Sequence, residues 1–184
     1  MRTYRLLLAA LTTLCLACLY LLLNVTAAQA QFQISDVEIG AHFGFNFSEG
    51  AIEDQRVGLQ AIVPVLGSIE LAPVFSSIYD FIDDPTGQIT GSAWEGYFTA
   101  RVRPFGRGSF WALGFGFTVW HASATDQVSG ETASGTEFTD AFVLALELPI
   151  WSIRPMGELY VINALERDGQ IGAHALFGVN IVLP

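Results

Sequence analysis

The stretch "WHAS" (120–123) gathers side chains of catalytic type. His121 stands two residues before Ser123, and Glu137 follows in the next segment. A histidine, a serine and a carboxylate are the set that activates a hydroxyl for acyl transfer, the imidazole taking the proton and the carboxylate holding the imidazole. In an extended segment residues two apart share a face, so His121 and Ser123 point the same way. The competing reading sets Trp120 and His121 at a membrane rim, where amphipathic rings collect. Two further histidines, His42 and His174, fall on the first and last segments of the mature chain. Two donors fall short of the three or four that hold zinc, so they read as a polar pair in a hydrogen-bond network. "DFIDDPTG" (80–87) offers Asp80, Asp83 and Asp84 as oxygen ligands for calcium, without the spacing of a known calcium loop. No phosphate loop, nucleotide fingerprint or metal-spaced Cys/His set is present, and no cofactor is expected.

What must position these residues is a set of strands. "QIGAHALFGVNIVL" (170–183) is apolar at every second residue: Ile171, Ala173, Ala175, Phe177, Val179, Ile181 and Leu183. Period two is a strand signal, because successive side chains point to opposite faces. The same alternation starts near Val37, Val57, Ile69, Trp94, Trp111, Phe142 and Leu159, which makes eight strands. Pro73 stands inside the third and removes a ladder donor there. Short connections ("PVLG", "PFGRGS" and "PIWS") alternate with longer polar ones at 47–55, 80–92, 121–139 and 164–169. That pattern describes an all-β, eight-stranded antiparallel up-and-down barrel.

Composition names the solvent. The 184 residues are 52% hydrophobic and 14% charged, with no lysine. Residues 1–30 have the layout of a secretory signal peptide: Arg2 and Arg5, an apolar run from Leu6 to Leu23, and "AQA" before the cut. Cys15 and Cys18 lie in that segment, so a mature domain of 31–184 holds no disulfide. It keeps six arginines against eighteen carboxylates, a net charge near −12 that excludes nucleic-acid binding through a basic surface. One face of the strands carries Phe, Leu, Ile and Trp; the other carries Gly40, Gly58, Gly116, Gly178, Ala72, Ala112 and Ala145. Small residues belong inside an eight-stranded barrel, whose interior is just wide enough for side chains. The bulky face then meets lipid, and the barrel is transmembrane. A soluble lipocalin-like ligand-binding barrel is the alternative; it would turn Phe43, Phe115 and Phe177 inward.

The few strand charges nearly balance, Glu38, Glu70, Glu95, Glu147 and Glu158 against Arg56, Arg101, Arg103 and Arg154. Glu38, Glu70, Arg101, Arg103, Glu147, Arg154 and Glu158 are expected to form an ionic cluster in the lower lumen, because buried charges are costly unless paired. His42 and His174 join the lumen. Trp94, Trp111, Trp120, Trp151 and Tyr79 suit an aromatic girdle, while Tyr97 and Tyr160 suit the interior.

The strand, Pro-Gly turn and Gly-rich strand of "ARVRPFGRGSFWALGFGF" (100–117), with the closing "HALFGVNIVL", resemble the small eight-stranded outer-membrane barrels: the OmpA membrane domain, OmpX and the opacity proteins. The chain departs from that family at Leu183-Pro184, where its members commonly end in an aromatic residue read by the insertion machinery. The resemblance implies an exported, monomeric, non-enzymatic protein of the outer membrane. Its role would be structural, adhesive or permeability-modulating, its lumen filled, its partners membrane lipids, lipopolysaccharide and the insertion machinery. "WHAS" also faintly resembles the His-x-Ser-Asn of lipid A-modifying esterase barrels, with Ala124 in place of the Asn.

Overall fold

A computed structural model describes residues 37–48, 51–79, 82, 84, 86–165 and 171–183; the expected signal peptide lies outside them. Its strands are β1 (Glu38–Ser48), β2 (Ala51–Leu66), β3 (Ile69–Tyr79), β4 (Ile89–Val102), β5 (Trp111–Asp126), β6 (Thr132–Glu147), β7 (Ile153–Ile162) and β8 (Gly172–Val182). Each pairs antiparallel with the next in sequence, and β1 pairs with β8 to close the barrel, Phe43 opposite Phe177. Within the described residues the helical structure is a single 3-10 turn, Gly106–Gly108, between β4 and β5. At Pro73 the β2–β3 ladder passes from Gln60↔Val74 to Val63↔Leu71 without the two intervening pairs, as a missing donor requires.

Alternation decides which face is which. Glu38, His42, Arg56, Gln60, Glu70, Ala72, Tyr97, Arg101, Ala112, Ala145, Tyr160 and Asn180 are buried inside. On the outside, Leu59 is 63% exposed, Phe43 52%, Phe115 50% and Phe177 44%. This outward placement of Phe43, Phe115 and Phe177 is the reverse of the soluble lipocalin-like alternative. In water so continuous an apolar surface would be unmatched; hydrocarbon is the solvent that suits it.

Small residues let the wall curve. A Cβ on Gly116 would stand 1.9 Å from the Phe98 carbonyl oxygen of β4, and one on Gly58 1.8 Å from that of Phe75 on β3. Neither position has room for a side chain.

Three connections expected as long loops are shorter than the sequence suggests, because strands run on into them. β5 and β6 extend to Asp126 and from Thr132, leaving a turn of 127–131 where a loop of 121–139 was expected. β1 and β2 likewise reach Ser48 and Ala51, and β4 begins at Ile89. The added segments are rich in Ala, Ser, Thr and Gly, so no apolar face announces them. Cross-strand hydroxyl contacts hold them instead, Thr125 with Thr132 at 3.0 Å and Ser92 with Ser123 at 3.3 Å.

Replacing Gly116 by Val is expected to destabilise the barrel by about 1–3 kcal/mol through overpacking against the β4 backbone. Urea titration of the protein in detergent micelles measures it; an unchanged midpoint contradicts the close packing.

Candidate functional site

The interior is a stack of polar layers. Nearest the short turns, Arg103 donates through Nε to Glu70 at 2.6 Å and through Nη2 to Glu147 at 2.7 Å, and caps the Ser109 carbonyl at 3.1 Å. Arg154 pairs with Glu38 at 2.7 Å and approaches Glu147 at 3.8 Å. Above them Arg101 grips Glu158 through two parallel bonds of 2.5 and 2.9 Å and also donates to the Tyr160 hydroxyl at 2.7 Å. Bidentate geometry is the strongest form an arginine–carboxylate pair takes. The Tyr160 ring lies 4.2 Å, centroid to centroid, from that of Tyr97. All seven residues expected in the lower ionic cluster therefore lie on the inner face, joined in these pairs.

A further layer sits over the tyrosines. Arg56 pairs with Glu95 and donates to the Tyr97 hydroxyl at 2.9 Å, and its Nη1 lies 2.9 Å from His174 Nδ1. The Tyr97 hydroxyl bonds Glu95 at 2.6 Å and His174 Nδ1. Thr118 donates to the other Glu95 oxygen at 3.3 Å. Sequence reasoning counted Arg56 and Glu95 among the strand charges but did not join them to Tyr97 and His174. The four come from β2, β4 and β8, and only their common inward parity hints at a meeting.

His42 and His174 are not a pair, which corrects the expectation. Closure sets His42 opposite Gly178 and His174 opposite Asn46. That is four residues apart along the seam, or about 13 Å at strand rise. His42 Nε2 bonds Ser76 at 2.8 Å, while His174 belongs to the Arg56 layer.

The candidate esterase set is divided by the wall. His121 faces outward, bonded to Thr136 at 2.8 Å and stacked on Trp94 with ring centroids 5.5 Å apart. Ser123 shares that outer face and contacts Ser92. Glu137 stands opposite Trp120 and lines the inner mouth. Trp120 also turns inward, toward Ile78, Ala93 and Ala122, so the expected rim pair of Trp120 with His121 is split and Trp94 takes its place. Adjacent residues on a strand cannot share a face.

At the long-loop end the interior opens into a cavity of about 260 Å³ whose lining includes Asn46, Asp54, Arg56, Glu95, Trp120 and Glu137. A cavity of about 30 Å³ lies near the short turns, among Glu38, Glu70, Arg103 and Arg154. Between them Tyr97, Tyr160, Arg101 and Leu176 have no exposed surface.

Of the candidate calcium ligands, Asp80 and Asp83 lie outside the described residues. Asp84 is occupied by its own loop, accepting from the Thr86 hydroxyl at 2.7 Å and from the Thr86 and Ile89 amides at 2.9 and 2.7 Å. The Thr86 hydroxyl foremost, then the Ile89 and Thr86 amides, holds its carboxyl down to about 2. The Val128 and Ser129 amides likewise hold Asp126 below the usual carboxylate range. Among the described residues no group of three His, Cys, Asp or Glu side chains could hold a metal ion.

The geometry defines an eight-stranded barrel with an apolar exterior and a plugged polar lumen, the fold of the small outer-membrane barrels. The N-terminal barrel domain of Pseudomonas aeruginosa OprF superposes with a TM-score of 0.56 at 15% identity, over 79% of this chain and 95% of that one. Ail, the attachment invasion locus protein of Yersinia pestis, gives 0.51 at 13% identity over 79% and 95%. Neisserial surface protein A gives 0.50 at 10% over 80% and 96%. No family model and no curated protein matches the sequence.

Two outcomes test this site. Glu158→Gln is expected to destabilise the barrel by about 3–5 kcal/mol by stranding Arg101, whereas Glu158→Leu combined with Arg101→Met costs less; a double-mutant cycle in urea reads both. The Asp84 carboxyl, depressed when folded, contributes to loop order above the ordinary aspartate range and loses it as pH falls toward 2. The Ile89 amide resonance should therefore titrate with a midpoint of about 2.

Proposed function

We propose that this protein is a monomeric, non-catalytic integral protein of the outer membrane, exported by residues 1–30 and carrying its barrel in 31–184. The insertion machinery delivers it, and its apolar belt contacts membrane lipid, with lipopolysaccharide around its outer end. It serves the envelope structurally and by adhesion rather than by transport. One observation carries this reading: the lumen is closed by fully buried Tyr97, Tyr160, Arg101 and Leu176. The similar structures supply context, one of them being described as an attachment invasion locus protein. The separation of His121 and Ser123 from Glu137 supports a non-enzymatic role.

A permeability-modulating role is the second reading, favoured by the cavities that approach the plug from both ends.

Cell fractionation with electrophoresis in SDS tests the first reading. An outer-membrane band whose mobility changes on boiling is expected; recovery in the soluble fraction overturns it. In planar bilayers the unmodified protein should carry no steady current, and Tyr97→Ala with Tyr160→Ala should open one. A steady current from the unmodified protein shifts the reading to permeability.

A further inference from the structure

The cavity at the long-loop end is a cup closed toward the lower lumen, for below it Tyr97 and Arg101 have no exposed surface. Its volume of about 260 Å³ is the share of roughly eight or nine waters, room for one small molecule. Charge inside it is uneven. Asp54, Glu95 and Glu137 line it against Arg56 and His174, a negative balance whichever form the imidazole takes. Arg56 is committed to Glu95, and among the described residues no cation pairs with Asp54 or Glu137.

These two carboxylates stand on opposite walls. β2, which carries Asp54, and β6, which carries Glu137, are four strands apart in either direction round the ring. Carboxylates placed across a barrel do not converge on one metal ion, and no described group of three His, Cys, Asp or Glu side chains does so. Each wall has its own chemistry. Beside Glu137 is its cross-strand partner Trp120, whose indole packs against Ile78, Ala93 and Ala122. On the β1–β2 wall Arg56 is only 2% exposed, yet its Nε has no hydrogen-bond partner, and Asn46 Oδ1 has none either. Asn46 follows Gly44, the partner of Arg56, by two residues on the same inner face, within diagonal reach of it. A buried donor and a buried acceptor left unused are each costly.

We propose that this cup binds a small amino alcohol, an organic cation that carries its own hydroxyl group. The ammonium sits over the Trp120 ring beside Glu137, where the ring quadrupole and the carboxylate both attract it. Asp54 adds to the field from across the cup. The hydroxyl lies on the opposite wall, accepting from Arg56 Nε and donating to Asn46 Oδ1, since one O–H group supplies both functions. A bare cation lacks the hydroxyl and a plain alcohol lacks the charge, so neither satisfies both walls. This goes beyond the envelope role, adding a ligand to a barrel whose plug bars passage.

The whole protein in detergent micelles, in amine-free phosphate buffer at fixed ionic strength, is titrated with 4-amino-1-butanol while the indole N–H resonance of Trp120 is followed. The assay does not depend on where the protein resides in a cell, so its failure leaves the outer-membrane assignment standing. A saturable shift of that resonance is expected. Butylamine, which lacks the hydroxyl, and 1,4-butanediol, which lacks the charge, should each bind about tenfold or more weakly, as a lost hydrogen bond to a charged group requires. Glu137 is exposed, so Glu137→Gln should keep boiling-dependent mobility and weaken binding of 4-amino-1-butanol by about two- to fivefold. If that variant does not fold, the analogue series in the unmodified protein decides. Absence of a saturable shift overturns the proposal. So does equal affinity for butylamine, which would reduce the effect to attraction of any cation by the acidic mouth.

Discussion

The seam between β1 and β8 is where this chain meets the demand that hydrocarbon makes of a backbone. No water is available to satisfy a peptide group there, so a sheet can enter only if it has no edges. Pairing Glu38 through Phe47 with Val182 through Ala173 removes them. Closing on eight strands then limits the interior to the width of side chains. The rest follows from that width: glycines such as Gly58 and Gly116 where neighbouring carbonyls crowd the inner wall, and bulky residues excluded to the lipid face.

A narrow, enclosed interior also dictates how charge is carried. A desolvated arginine is tolerable only with a carboxylate in contact. Arg56, Arg101, Arg103 and Arg154 each have one. The tyrosines fill what remains, joining the Arg101 and Arg56 layers through their hydroxyls. The outcome is a plug between two shallow cavities instead of a channel.

Above the belt the constraint lifts. Both faces of the β5–β6 hairpin are wet, so side chains need not alternate between apolar and polar. Hydroxyl contacts and the Asp126 turn cap maintain the ladder. Backbone groups can stay open to water there, at no cost comparable to that in lipid. Among the described residues, the same release leaves Thr132 to Thr139 paired on one side alone.

Much of the architecture was legible in the sequence, because strand parity is local. A residue and its neighbour must face opposite ways, so Phe43 and Phe177 outside, and Glu38, Arg101 and Glu158 inside, could be read from alternation alone. Where alternation ended, so did legibility: Thr132 to Thr139 read as loop because a strand wet on both faces leaves no apolar period. Parity also says nothing about height. That His174 meets Arg56 and Tyr97 rather than His42 depends on the stagger between strands far apart in the chain, and that Glu137 stands opposite Trp120 depends on the register of the β5–β6 hairpin. The sequence by itself determined the faces, since each is a property of consecutive residues. Only tertiary closure decided which inward side chains meet, since the register at one seam sets the height of every layer.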